Sequence, residues 1–211
     1  MQRYFANIDN NYFVHLNPDD EHHVSHVMRM KKNDEIEVVN EGKVFLCRIE
    51  DFNPLRIVAI HEMENDVELK EDITLLFALT KGDKIDLVIQ KATELGVKKV
   101  ALIESERTVV TYQDKDQEKK LARFNKIMKE ASEQSKRTKI PKVENVISIK
   151  ELLKKDFKNK FICSLTDNTK PLKEYLNKET DNILFVIGPE GGFTSYEEKL
   201  LIDASFKPVT L

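Results

Sequence analysis

The spacing of apolar residues changes near residue 70. Before it they come in short runs: Tyr4-Phe5-Ala6, Tyr12-Phe13-Val14, alternating Glu35–Val39, Lys43–Ile49 and Arg56–Ile60. Short runs bounded by turn residues predict strands, and Asn40-Glu41-Gly42 makes 35–49 a hairpin. One helix interrupts them. Asn17 as N-cap and Pro18 at the first helical position start it, and it runs towards Met30, burying Val24, Val27 and Met28. A small, mostly antiparallel barrel is the economical assembly.

Polar, acidic Glu62–Asp72 reads as a linker, after which the pattern lengthens. Ile73–Leu79 predicts a buried strand, and Asp83–Leu95 a helix burying Ile85, Val88, Ile89 and Ala92 before Gly96. Val100–Ile103 is a strand, and Asp114 to about Arg137 a long helix with a Leu121, Phe124, Met128, Ala131, Ser135 stripe. Ser148-x-x-Glu151 caps a short helix, Phe161–Leu165 is a strand, and Pro171 opens another helix. Ile183–Ile187 is a strand buried on both faces, a helix follows Thr194-Ser195, and Thr210-Leu211 enters a further strand. Strands alternating with helices predict a parallel α/β sheet, which takes ligands beyond the carboxyl ends of its strands. The expected domains are 1–68 and 72–211.

Composition narrows the picture modestly. Of 211 residues 34% are charged and 40% apolar, as in ordinary soluble domains. No apolar run approaches the ~20 residues of a membrane span, and no leader opens the chain, so a cytoplasmic protein without a membrane partner is expected. Cys47 and Cys163 lie in separate predicted strands, which argues against a disulfide framework. The net charge is −3 and unevenly spread. Up to Lys70 there are 8 Lys and Arg against 14 Asp and Glu, and beyond it 26 against 23. Any nucleic-acid site is therefore a local basic patch.

The most informative stretch is Ile187-Gly188-Pro189-Glu190-Gly191-Gly192. It holds half of the six glycines between a strand and a helix start. Unpaired N–H groups and absent Cβ atoms make such a loop a ligand cradle. It matches neither a Walker A loop nor the dinucleotide fingerprint. Glu190 would repel a phosphate placed on those amides, so a nucleoside without phosphates and with a positive charge fits better. S-adenosylmethionine is such a molecule. The plain alternative is an ordinary turn.

Other clusters carry less. His22 and His26 share a helix face, but a third metal ligand is missing and no metal is expected. Glu130, Gln134 and Arg137 form a polar stripe at i, i+4, i+7, which a solvated face also explains. Glu94-Leu95-Gly96-Val97 is explained by a helix end, while Ser105-Glu106-Arg107-Thr108 follows a strand and lies on the same rim as the glycine loop.

Taken together, these pieces resemble a known family. They are Gln2-Arg3-Tyr4-Phe5, Val27-Met28-Arg29, Gly82-Asp83-Lys84, Gln90–Val97, Glu106-Arg107, Glu130–Ser135 with Arg137, and Ile187–Phe193 with Glu197. The chain resembles the RsmE family of 16S ribosomal RNA uridine-N3 methyltransferases, in the SPOUT superfamily. The resemblance implies an N-terminal PUA-like barrel, a C-terminal SPOUT-type α/β domain with a trefoil knot, S-adenosylmethionine as methyl donor, a homodimer, and the small ribosomal subunit as partner. The cofactor would contact Leu165, Ile187, Gly188, Pro189, Glu190, Gly191, Gly192, Thr210 and Leu211. RNA would contact Arg3, His26, Arg29, Lys31, Arg107 and Arg137. For the chemistry, Arg137 or Arg107 could stabilise the uridine N3 anion, and Glu94 or Glu190 could accept its proton. The sequence leaves these open, as it does a non-catalytic RNA-binding scaffold or a methyltransferase acting on transfer RNA. Family members continue beyond the position of Leu211 with a segment that closes the adenosine pocket, so poor cofactor binding and a weakened dimer are expected of the 211-residue chain.

Overall fold

The computed structural model describes residues 1–80, 84–108, 114–164, 166, 169–176 and 181–210, with 114–117 described for backbone only. The chain forms two compact units. One is Met1–Glu68 with Lys129–Lys139, the other Leu69–Met128 with Ile140–Leu211. The first thus draws an eleven-residue piece from the middle of the chain, where sequence alone suggests a simple division at the linker.

In the first unit the strands are β1 (Arg3–Phe5), β2 (Asn7–Ile8), β3 (Val14–His15), β4 (Glu35–Asn40), β5 (Lys43–Phe52) and β6 (Leu55–Met63). A sheet in the order β1-β4-β5-β6 is antiparallel except for the β1–β4 pair, and β2 pairs with β3. Tyr4, Val24, Ile36, Val38, Cys47 and Ile49 fill its core. The helix α1 (Pro18–His22) starts as its sequence dictates, with Asn17 Oδ1 accepting from Asp20 N at 2.9 Å. It does not reach Met30. From His23 to Val27 the backbone widens into a π-helical turn, and Met28 N donates to His23 O at 2.8 Å. A wider turn removes Val27 and Met28 from the face of Val24. Val24 is fully buried, whereas Val27 and Met28 are 59% and 45% exposed.

The second unit contains β7 (Ile73–Ala78), α2 (Lys84–Glu94), β8 (Lys99–Glu104), most of α3 (Asp114–Gln134), β9 (Lys142–Ser148), α4 (Ile149–Leu152), β10 (Asn159–Cys163), β11 (Lys170–Pro171), β12 (Ile183–Ile187), α5 (Ser195–Asp203) and β13 (Lys207–Thr210). Among the described residues its strands form one parallel sheet in the order β11-β13-β10-β12-β7-β8-β9. Leu76, Ile103, Ile162 and Val186 pack with Leu201 on one face, and Phe77, Leu102, Ile89 and Phe124 on the other. One expectation fails here, and one strand escapes the sequence pattern. Strand β9 was hidden because an edge strand needs no continuous apolar run, and its Lys142, Glu144 and Asn145 break the pattern. Pro171 opens no α-helix. It ends the edge strand β11, where its missing N–H is harmless, and a 3-10 turn at Leu172–Glu174 follows.

The chain order fixes where a ligand belongs. From β7 the crossover through α2 leads to β8 on one side, and from neighbouring β12 the crossover through α5 leads to β13 on the other. Divergence of two adjacent crossovers opens a crevice at the carboxyl ends of the strands. The loop after β12 is the glycine-rich one.

Candidate functional site

Within that loop the glycines have different reasons to be there. A Cβ at Gly188 would lie 3.1 Å from the Phe193 ring and 3.2 Å from Phe193 N, and Phe193 is itself buried. Gly192 has φ +68°, a region that side chains disfavour, and its N–H closes a turn onto Pro189 O at 2.8 Å. Gly191 has a normal backbone, and a Cβ there would meet Arg107 Cδ at an ordinary 3.6 Å.

The exit of the loop is the helix start at Thr194-Ser195, capped by Thr194 together with Glu197. Thr194 Oγ1 accepts from Glu197 N at 3.2 Å, and Glu197 Oε2 accepts from Thr194 N at 2.8 Å. The buried Glu197 carboxylate uses its other oxygen on Glu106 N, 2.7 Å away. Beside it the Arg107 guanidinium donates to Gly191 O and, at 3.4 Å, to Phe193 O. The Ser105–Thr108 turn after β8 therefore clamps the loop from a second strand. Through Nη1 Arg107 binds two loop carbonyls and so fastens the loop.

Glu190 is exposed, and its Oε1 lies 3.0 Å from Lys84 Nζ, the first residue of α2, so this pair bridges the two diverging crossovers. An exposed pair of this kind is weak, at most ~1 kcal/mol. The register carries two neighbours to the same rim. Cys163 pairs with Ile187 and Val209, which places Ser164 and Thr210 at the ends of the strands beside the loop. Ser164 Oγ donates to Glu198 and lies 3.0 Å from Thr166 Oγ1. Ser164 is not singled out by sequence, since it forms no motif. Leu165 and Leu211 lie outside the described residues, as do Gly82 and Asp83.

Glu94 is a correction. It closes α2 at the end opposite Lys84, about 16 Å along the helix axis from the rim. It pairs with Lys91 at 2.8 Å. Its spacing marks a helix C-terminus, and the helix carries it away from the glycine loop.

The first unit redistributes the cations assigned to RNA. Arg3 is buried: its Nε donates to Glu37 Oε2 at 2.8 Å, and its Nη1 to the carbonyls of Lys136 and, at 3.3 Å, Arg137. Arg137 is also buried, with Nη2 2.8 Å from Glu68 Oε2. It has left the helix stripe, because α3 ends at Gln134 and Lys136 takes φ +62°. Both arginines are structural ion-pair partners rather than exposed phosphate contacts. Burial raises the Glu68 carboxyl, but Arg137 and the amides of Thr138 and Lys139 outweigh it and hold it below the usual range. Glu37 is lowered in the same way, burial being outweighed by Lys136 and Arg3. By contrast His26, Arg29 and Lys31 are exposed, and the His26 ring stacks on His22 with centroids 4.6 Å apart.

What the arrangement offers chemically is a glycine loop at the carboxyl ends of the strands with an exposed carboxylate, Glu190, on its lip. No described helix is long and apolar enough to cross a membrane. Comparison with known proteins agrees on a class. An RNA methyltransferase domain profile matches residues 67–211, and an RNA methyltransferase PUA domain profile matches residues 16–60. The ribosomal RNA small subunit methyltransferase E of Bacillus subtilis is 31% identical over 221 residues, spanning 96% of this chain and 86% of its own. The crystal structure of the Neisseria gonorrhoeae ribosomal RNA small subunit methyltransferase E bound to S-adenosyl methionine superposes with a TM-score of 0.88 at 31% identity, covering all of this chain and 89% of that one. A Legionella pneumophila putative methyltransferase in complex with the same cofactor superposes with a TM-score of 0.89 at 26% identity, over 99% and 88% of the two chains.

Proposed function

This chain belongs to the RsmE family of ribosomal RNA small subunit methyltransferases, with a PUA-like first unit and a SPOUT-type second, and we propose that it methylates N3 of a uridine in 16S ribosomal RNA, using S-adenosylmethionine. The carrying observation is the loop Gly188–Gly192 at the switch point of the parallel sheet, with a carboxylate and no phosphate-type motif. The residues fit the cofactor. Gly191 and Gly192 leave their surroundings open, Gly188 permits the tight turn, and Glu190 tolerates a sulfonium where it would repel a phosphate. Ile187, Gly188, Pro189 and Thr210 share the rim and complete the adenosine cradle.

Bound there, S-adenosylmethionine supplies an electrophilic methyl on positively charged sulfur. The protein's part is to position and to handle one proton. Uridine N3 must lose its proton as it gains the methyl group, and Glu190 is the carboxylate on the rim that accepts it, with Lys84 steadying the carboxylate beforehand. Arg107 and Glu197 hold the loop still, so that orientation supplies much of the acceleration, which is worth up to roughly 7–11 kcal/mol in favourable cases. A homodimer working on the small ribosomal subunit in the cytoplasm completes the proposal.

Titration calorimetry with S-adenosylhomocysteine and, separately, ATP tests the cofactor assignment. The chain should bind the first and not the second. Binding of ATP in competition with S-adenosylhomocysteine would overturn the reading of Glu190 as an anion-excluding group.

A further inference from the structure

The exposed pair Val27 and Met28 is not explained by the first unit's own packing. Val24, Val27 and Met28 have the i, i+3, i+4 spacing that a regular helix buries on one face. The π-helical turn at His23–Val27 breaks that register. Arg29 then takes φ +50°, and Met30, whose N–H donates to Val24 O at 3.1 Å, packs against the core that Met28 would otherwise reach. A left-handed non-glycine residue and a π-turn are both unfavourable locally, and such turns are frequent at functional sites. Here they hold two apolar side chains in solvent.

Their surroundings say what covers them. Arg29, Lys31 and Lys32 follow directly and are exposed, three cations in four positions of an otherwise acidic region. The stacked His22–His26 rings lie on the same segment. The acidic groups nearby are Asp19 and Glu21 on α1, Asp51, which faces Lys32, and Asp34, whose carboxylate accepts Lys31 N at 2.7 Å and leaves the lysine side chain clear of that bond. A second copy of this chain is a poor occupant, because a two-fold contact would set these cations against their own images. We propose that Val27 and Met28 are a stacking step for an unpaired base of the RNA substrate, with the flanking phosphates taken by Arg29, Lys31 and Lys32. This rests on the reading of the chain as an RNA methyltransferase. An unpaired RNA base can be splayed out to lay its face on a protein surface, and cations beside that surface supply the salt-dependent part of binding.

The test uses the full chain and two fluorescent probes, a 12-nucleotide single-stranded RNA and the same strand paired in a duplex. Val27→Ser with Met28→Ser should weaken single-strand binding about tenfold or more, the loss expected when two buried apolar side chains give up their contact. Duplex binding, the salt slope and the melting temperature should not change. Arg29→Ala with Lys31→Ala should instead lower the salt slope by about two for both probes. Unchanged single-strand binding by the serine variant, or an equal loss for both probes, would overturn the stacking step alone. A wild-type chain that binds neither RNA yet binds S-adenosylhomocysteine would overturn it while leaving the cofactor site standing. If the serine variant only shifts sedimentation from dimer to monomer, the surface belongs to a second copy and the proposal is wrong.

Discussion

Replacing Glu68 by Ala should destabilise the first unit by about 3–5 kcal/mol, the usual effect of removing one member of a buried ion pair. The Glu68 carboxylate accepts from the Arg137 guanidinium, from Thr138 N at 2.8 Å and from Lys139 N at 3.0 Å, and Arg137 is only 5% exposed. Alanine would deprive the buried Arg137 of this carboxylate and leave two backbone donors without this acceptor. It would also release the 129–139 segment from the strands it packs with. The same pair gives a pH dependence. The carboxyl titrates lower folded than unfolded, so its contribution is complete above the ordinary value of about 4.5 and is lost as pH falls through the folded value. Urea melts at neutral pH and pH 3.5 measure both effects. A Glu68→Ala loss below ~1 kcal/mol would mean that the pair is not the anchor. A Glu68→Leu, Arg137→Met double variant should recover much of the stability, because apolar replacement of a whole buried pair is often neutral.

Gly188→Val should lower affinity for S-adenosylhomocysteine about a hundredfold while the protein stays folded. The new Cβ would lie 3.1 Å from the buried Phe193 ring and 3.2 Å from a backbone nitrogen, so the turn must shift rather than a flexible side chain. Two ligand hydrogen bonds lost at about 1–3 kcal/mol each account for that factor. Gly191→Ala separates the two effects: its Cβ meets only Arg107 Cδ at 3.6 Å, so a loss of affinity there comes from the ligand's own space and not from a shifted turn. Calorimetry with a thermal melt of each variant separates binding from folding. Wild-type affinity in Gly188→Val would remove the loop from the cofactor site.

What could be read from sequence divides along the distance over which the determinants act. The glycine loop, the Thr194–Glu197 capping box, the Asn17 cap and the parallel sheet were legible because each is set by residues a few positions apart. The expectation that the loop excludes phosphate likewise rests on one neighbour, Glu190. The misread cations were set from afar. Arg3 pairs with Glu37, 34 residues on, and Arg137 with Glu68, 69 residues back, and nothing local distinguishes a buried arginine from an exposed one. Glu94 was misplaced for a related reason, since a motif shows which residues recur together but not which end of the sheet their helix reaches. The π-turn at His23–Val27 was invisible because its sequence satisfies an ordinary amphipathic helix, and strand β9 because edge position frees it from apolar patterning.

The central claim is methyl transfer to a uridine of small-subunit RNA, and one measurement meets it directly. The chain is incubated with small ribosomal subunits lacking the modification and with S-adenosylmethionine labelled on its methyl group, and the labelled nucleoside is then identified and mapped. The account predicts label in 16S RNA, as 3-methyluridine, at a single position. Label in transfer RNA, label on carbon or ribose, or no transfer by a chain that binds S-adenosylhomocysteine would contradict it.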